Sequence, residues 1–70
     1  MRLIETFHPT PHLVPKGEPP TPCIMEDGAT GYRYLVVGKE LLAPGVIYAA
    51  EQSGVVEIMT VAQMREYEHG

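Results

Sequence analysis

Cysteine is almost missing from this chain. Cys23 stands alone in 70 residues, so no disulfide can form within the chain. A chain of this length buries only about 60% of its unfolded surface, and its own core is marginal. Support then has to come from a partner subunit, from a metal, or from an unusually good core. The lone thiol also points to a reducing compartment.

Serine and aspartate occur once each, as Ser53 and Asp27, both in stretches that read as turns. A hydrolytic triad would have to gather these two with one of three histidines near the chain ends, His8, His12 or His69. Cys23 with His8 or His12 is the remaining nucleophile pairing. Two hairpins and a short helix offer little cleft to exclude water. The expectation is a non-enzyme with no cofactor.

Positive charge is sparse. Arg2, Lys16, Arg33, Lys39 and Arg65 are scattered singly, and the net charge is −4. Binding nucleic acid by counterion release needs clustered cations, so nucleic acid is not an expected partner. A basic protein is the better fit for any charged partner. No apolar run approaches the roughly 20 residues that span a bilayer, so no membrane contact is expected. The first residues lack a basic region followed by a long apolar run, so they do not read as a signal peptide. The expected location is the cytoplasm.

What the chain does have is centred on Tyr32 to Thr60. Three runs of β-forming residues, 32–37, 46–51 and 55–60, are separated by glycine-bearing breaks. Asp27-Gly28 is a strong turn signal between Cys23-Ile24-Met25 and the first of these runs, which makes a first hairpin. Gln52-Ser53-Gly54 reads as the tight connection of a second hairpin joining 46–51 to 55–60. Alternation places Val56 and Ile58 on one face of the last strand, beneath Val61 or Met64. The competing register buries Val55 and Met59 and exposes Ile58. Glu57 implies that its own face is partly wet.

Thr60 and Gln63 have the spacing of a capping box, which predicts a helix near 61–68. Val61, Met64 and Tyr67 fall on one side of it, and about two turns must pack on the sheet to persist. Residues 3–7 can pair as a short edge strand. Six of the seven prolines lie between Pro9 and Pro22, which excludes a helix or a central strand there. The stretch from His8 to Pro22 is expected as an arm, extended or polyproline II, either solvated or laid across a surface. There is no internal repeat.

His8, His12, Cys23 and His69 are zinc-ligand types, but Pro9 and Pro11 forbid the helix that would put His8 and His12 on one face. Gly38-Lys39 resembles the end of a Walker loop, yet Arg33 and Glu40 stand where glycine and serine or threonine are required. Lys16 to Pro22 fits a basic-x-x-Pro-x-x-Pro pattern read by SH3 domains, with Glu18 unhelpful between them. Tyr32, Tyr34, Tyr48 and Met59 are candidate partner-binding residues, because tyrosine is favoured at interfaces. Phe7, Leu13 and Val14 are candidate arm-docking residues.

The expected fold is α+β, a small antiparallel sheet or SH3-like partly open barrel of three to five strands. One short C-terminal helix packs on it, with a proline-rich arm over residues 1–22 and a β-rich domain over 23–70. The expected function is a non-catalytic protein-binding or regulatory module, such as an inhibitor of a larger protein. Chains of this size are frequent among phage and plasmid accessory proteins. A homo-oligomer and a protein partner of unknown identity are the expected associations. The other reading is a small-ligand or metal-binding protein with its site at a homo-oligomer interface.

Overall fold

In the computed structural model, which describes residues 1–9 and 13–69, four strands form one mixed sheet in the order β1-β2-β3-β4. The strands are β1 (Arg2–Thr6), β2 (Cys23–Glu26), β3 (Arg33–Val37) and β4 (Val55–Thr60). Helix α1 (Pro44–Gln52) lies between β3 and β4, and α2 (Val61–His69) follows β4 without a break.

The first hairpin forms as the Asp27-Gly28 signal predicts. β2 runs antiparallel to β3 with Ile24 opposite Leu35 and Met25 opposite Tyr34. Asp27 makes the turn twice over. Its Oδ1 accepts the Ala29 N–H at 2.8 Å and its carbonyl accepts the Gly31 N–H at 2.8 Å. Gly31 sits at φ +77°, where a side chain would be strained. β1 pairs antiparallel with β2 as the edge strand expected over residues 3–7, with a bulge between Leu3 and Glu5. Glu26 joins these three strands at one end. Its carboxylate accepts Arg2 Nη2 at 2.8 Å and Arg33 Nε at 3.0 Å. The hydrogen bond from Arg33, with that from Arg2, outweighs partial burial and holds the Glu26 carboxyl below its usual range.

The second hairpin does not exist. Residues expected as the strand 46–51 belong to α1, and β4 pairs parallel with β3, Leu35 opposite Ile58 and Val36 opposite Met59. Three residues cannot join parallel strands; the crossover needs a dozen or more, and α1 supplies it. Pro44 starts the helix with its φ already fixed and no N–H to satisfy. Val46 and Ala50, four apart, turn toward the sheet with Leu42 before them. Gly54, at φ +82°, follows the Ser53 cap and ends the helix.

The helices cover opposite faces. On one, α1 packs Ala50 on Ile24 and Leu35, with Phe7, Val37, Val46 and Val55 around them. On the other, α2 packs Met64 on Cys23, Tyr34, Val36 and Met59. The sheet is therefore open, with helices on both sides, rather than an antiparallel sheet or SH3-like barrel with one helix. Alternation along β2 and β3 feeds both cores, because buried strands between two layers are apolar on both faces.

Helix α2 begins as the sequence predicts. Thr60 Oγ1 accepts the Gln63 N–H at 3.1 Å, and Gln63 Oε1 accepts the Thr60 N–H at 2.9 Å. Its inward stripe is also as expected. Met64 is buried, Val61 packs against the same core, and the Tyr67 ring lies 5.5 Å from that of Tyr34 at a tilt of 53°.

Candidate functional site

β3 and β4 are parallel neighbours, and their connections leave in opposite directions: β3 leads to α1 on one face, β4 to α2 on the other. In open α/β sheets the crevice outside the carboxyl ends of such strands is where ligands bind. A cleft of about 570 Å³ opens there, lined by Val37 to Glu40, Thr60 to Ala62 and, from the segment before β2, Pro15, Glu18 and Thr21. Its chemistry is poor for an anion. The Gly38 N–H already donates to Glu40 Oε1 at 3.1 Å, and Glu18 adds a second carboxylate against the single cation Lys39. A Cβ at Gly38 would meet Glu40 Oε2 at 2.6 Å and Thr21 Oγ1 at 2.7 Å, so a larger residue there would displace both side chains.

A second cleft, about 520 Å³, lies between Met1, Asp27, Tyr67 and Glu68. Its polar groups are spent on one another. Tyr67 donates to Asp27 Oδ2, and the Met1 amine pairs with Glu68 Oε1 at 3.1 Å.

The third feature is apolar and lies at the sheet's edge. β4 is the last strand in the order and has no strand beyond it among the described residues. A bulge at its start, between Val55 and Glu57, leaves Val56 unpaired. Glu57 then lies opposite Tyr34 on the α2 side, and Ile58 opposite Leu35 on the α1 side. Val56 is 60% exposed and Ile58 49%, so the expected burial of both beneath Val61 or Met64 is wrong. The competing register is close to the truth: Met59 is buried at 7% and Val55 packs beneath α1. The two face opposite cores because the bulge shifts the alternation between them. A groove of about 190 Å³ runs between α1 and this edge, lined by Leu35, Ile47, Ala50, Val55, Val56 and Ile58 together with the acidic Glu51 and Glu57. Tyr48, next on α1, is 65% exposed.

The candidate residues divide. Tyr34 and Met59 share the core beneath α2, while Tyr32 and Tyr48 are exposed on separate elements. Of the arm-docking set, Phe7 packs on the core beneath α1, its N–H held by the Pro22 carbonyl at 2.9 Å. Leu13 is 67% exposed and Val14 half-buried. The segment before β2 touches α2 at one point, where Arg65 Nη2 donates to the Gly17 carbonyl at 3.4 Å.

Cys23 is fully buried, and desolvation, with the Glu40 charge adding, pushes its thiol up to about 11. It is held as an inert, protonated core residue. Among the described residues no group of three or more His, Cys, Asp or Glu gathers to hold a metal. His12 lies outside the described residues. Ser53 caps α1 and its carbonyl accepts Arg33 Nη1 at 3.3 Å. No described helix is long and apolar enough to cross a membrane.

Sequence reasoning missed Ile47 and Val56 as surface residues, and exposed Ile58 only in the competing register. The available signal was the four-residue spacing of Leu42, Val46 and Ala50, which favours a helix over a strand and brings α1 beside β4. No protein-family model matches the chain, and no curated protein and no solved structure matches it either.

Proposed function

We propose that this chain is a non-catalytic protein-binding module whose contact surface is the free edge of β4 with the adjoining side chains of α1. One observation carries the reading: Val56 and Ile58, two β-branched apolar residues, are exposed on an edge strand that nothing described covers. An open edge presents a row of unpaired backbone donors and acceptors, and folded proteins ordinarily blunt such edges. An added strand satisfies them, while the groove beside it takes alternate side chains and gives specificity. Ile47 and Tyr48 extend the contact along α1, and Tyr48 carries apolar area with a polar tip.

By covering a matching edge, a chain of this size acts as an inhibitor or regulator of a larger protein, or joins copies of itself. The proline-bearing stretch serves as an arm that straps the sheet through Phe7 rather than as the contact itself. The single protonated thiol suits a reducing interior, and the cytoplasm is the proposed location.

The test places a photo-crosslinking side chain at position 58 and, as a control, at Leu41, which is 98% exposed but outside the groove. In the source cell, position 58 yields adducts to one discrete protein, whether another chain or its own, and position 41 does not. Equal or absent labelling at both positions contradicts the proposal.

A further inference from the structure

We infer that the β4 edge is occupied by the β4 of a second copy, antiparallel across a two-fold axis at Ile58, so that two sheets join into one of eight strands. This rests on the reading of β4 as the contact surface and names its partner.

The sequence of the strand selects the register. A two-fold axis perpendicular to a sheet keeps each side chain on its own face, so it must pass beside one residue that meets its own copy. Along Val55–Thr60 the central choices are Glu57 and Ile58. With the axis at Glu57, two carboxylates lie directly opposite, which is destabilising. With the axis at Ile58, isoleucine meets isoleucine on the α1 face, Glu57 faces Met59 and Val56 faces Thr60. This pairing sets charge against an apolar neighbour rather than against charge, and it keeps Glu57, Ile58 and Met59, all beyond the bulge, in register about the axis. The two Ile58 side chains and the two Ile47 side chains then close over grooves that were open in the single chain.

The other edge explains why assembly stops at two. β1 has a bulge in its middle, between Leu3 and Glu5, and Arg2 at its start is engaged by Glu26. Both features discourage strand addition. β4 has its bulge only at the start, and its outward-facing Ile58 carries no charge. Pairing β4 with β4 removes both unprotected edges in one isologous contact, the closed symmetry most oligomers adopt.

The geometry sets the experiment. Residues directly opposite in an antiparallel pair have Cα atoms about 4.5–5.5 Å apart, within disulfide reach. Residues one step to either side of the axis are roughly 8 Å from their own copies, given the rise along a strand and the spacing between strands, and cannot bridge. The full chain is prepared as Ile58→Cys and, separately, as Glu57→Cys, and each is oxidised with glutathione disulfide. Cys23 is fully buried and does not compete. Both positions are exposed, and circular dichroism checks that both variants keep the wild-type fold. The expected result is that most Ile58→Cys chains run as a covalent pair on a non-reducing gel while Glu57→Cys stays single. Pairing of Glu57→Cys instead, or of neither variant, overturns the inference. If neither pairs while the position-58 photo-crosslink still finds a different protein, the contact surface stands and the second copy does not.

Discussion

The hydroxyl of Tyr67, near the end of α2, donates a hydrogen bond to the carboxylate of Asp27 in the β2–β3 turn, joining two residues forty apart in sequence. The bond fastens the short C-terminal helix at its far end, as the capping box fastens it at its start. It also couples the helix to pH. The Tyr67 hydrogen bond, aided by the Ala29 amide, holds the Asp27 carboxyl below its ordinary 3.8, and the same bond raises the Tyr67 phenol above its ordinary 10. Asp27, with a depressed folded value, contributes stability above pH 3.8 that is lost as pH falls through the folded value. Tyr67, with a raised one, contributes stability below pH 10 that is lost as pH rises through it. Tyr67→Phe keeps the ring contact with Tyr34 and melts below wild type at neutral pH. The gap in melting temperature narrows below about pH 3.8 and above about pH 10. A gap that stays constant across that range would show that the bond contributes nothing.

Thr60→Ala removes the side-chain oxygen that accepts the Gln63 N–H. Loss of such a cap costs about 1 kcal/mol. Helix α2, with nine residues, cannot absorb that through its own propensity. Urea unfolding gives the difference, and amide exchange should show α2 opening first.

The two cores and the arm separate cleanly by substitution. Leu35→Ala empties a fully buried site beneath α1 and costs roughly 2–5 kcal/mol. Phe7→Ala removes a half-buried ring from the same core and costs about 1–1.5 kcal/mol, roughly half the value for full burial. Leu13→Ser changes an exposed side chain and stays within about 0.5 kcal/mol. An equal cost for Phe7 and Leu13 in denaturant titrations would mean that the whole arm docks as a unit.

Much of this architecture is legible in the sequence where the signal is local. Asp27-Gly28 announces the β2–β3 hairpin, and Thr60 with Gln63 announces α2, because turn and cap chemistry acts over three or four residues. Val61, Met64 and Tyr67 mark the inward stripe for the same reason. The stretch from Val46 to Glu51 misled because Val, Ile and Tyr favour strands intrinsically, and a tertiary crossover overrode that preference. Gly54 is ambiguous on its own: glycine at positive φ ends a helix as readily as it turns a hairpin. Parallel pairing of β3 with β4 leaves no local mark, since its partners are about twenty residues apart. The candidate surface followed from that one pairing. With unbroken alternation Ile58 would lie beneath Val61 or Met64; with the crossover and the bulge it lies opposite Leu35 on the α1 side and half-exposed.

Salt distinguishes the second copy from a foreign cationic strand. Each chain carries a net charge of −4, so two copies repel at long range. Raising salt from about 0.1 M to 1 M shortens the screening length from about 10 Å to about 3 Å. The self-association constant should hold or strengthen over that range in light scattering. Marked weakening would point to attraction between opposite charges, which two copies of this strand do not offer.

Sedimentation equilibrium of the wild-type chain beside Ile58→Lys is the most direct measurement. Ile58 is half-exposed in the single chain, so lysine at that position leaves the fold intact and places two cations face to face on the two-fold axis. The expected result is a wild-type mass of twice the 7.7 kDa chain and a single-chain mass for Ile58→Lys, with the same circular dichroism spectrum. A wild-type protein that sediments as one chain at every concentration, or an Ile58→Lys variant that still pairs, would contradict it.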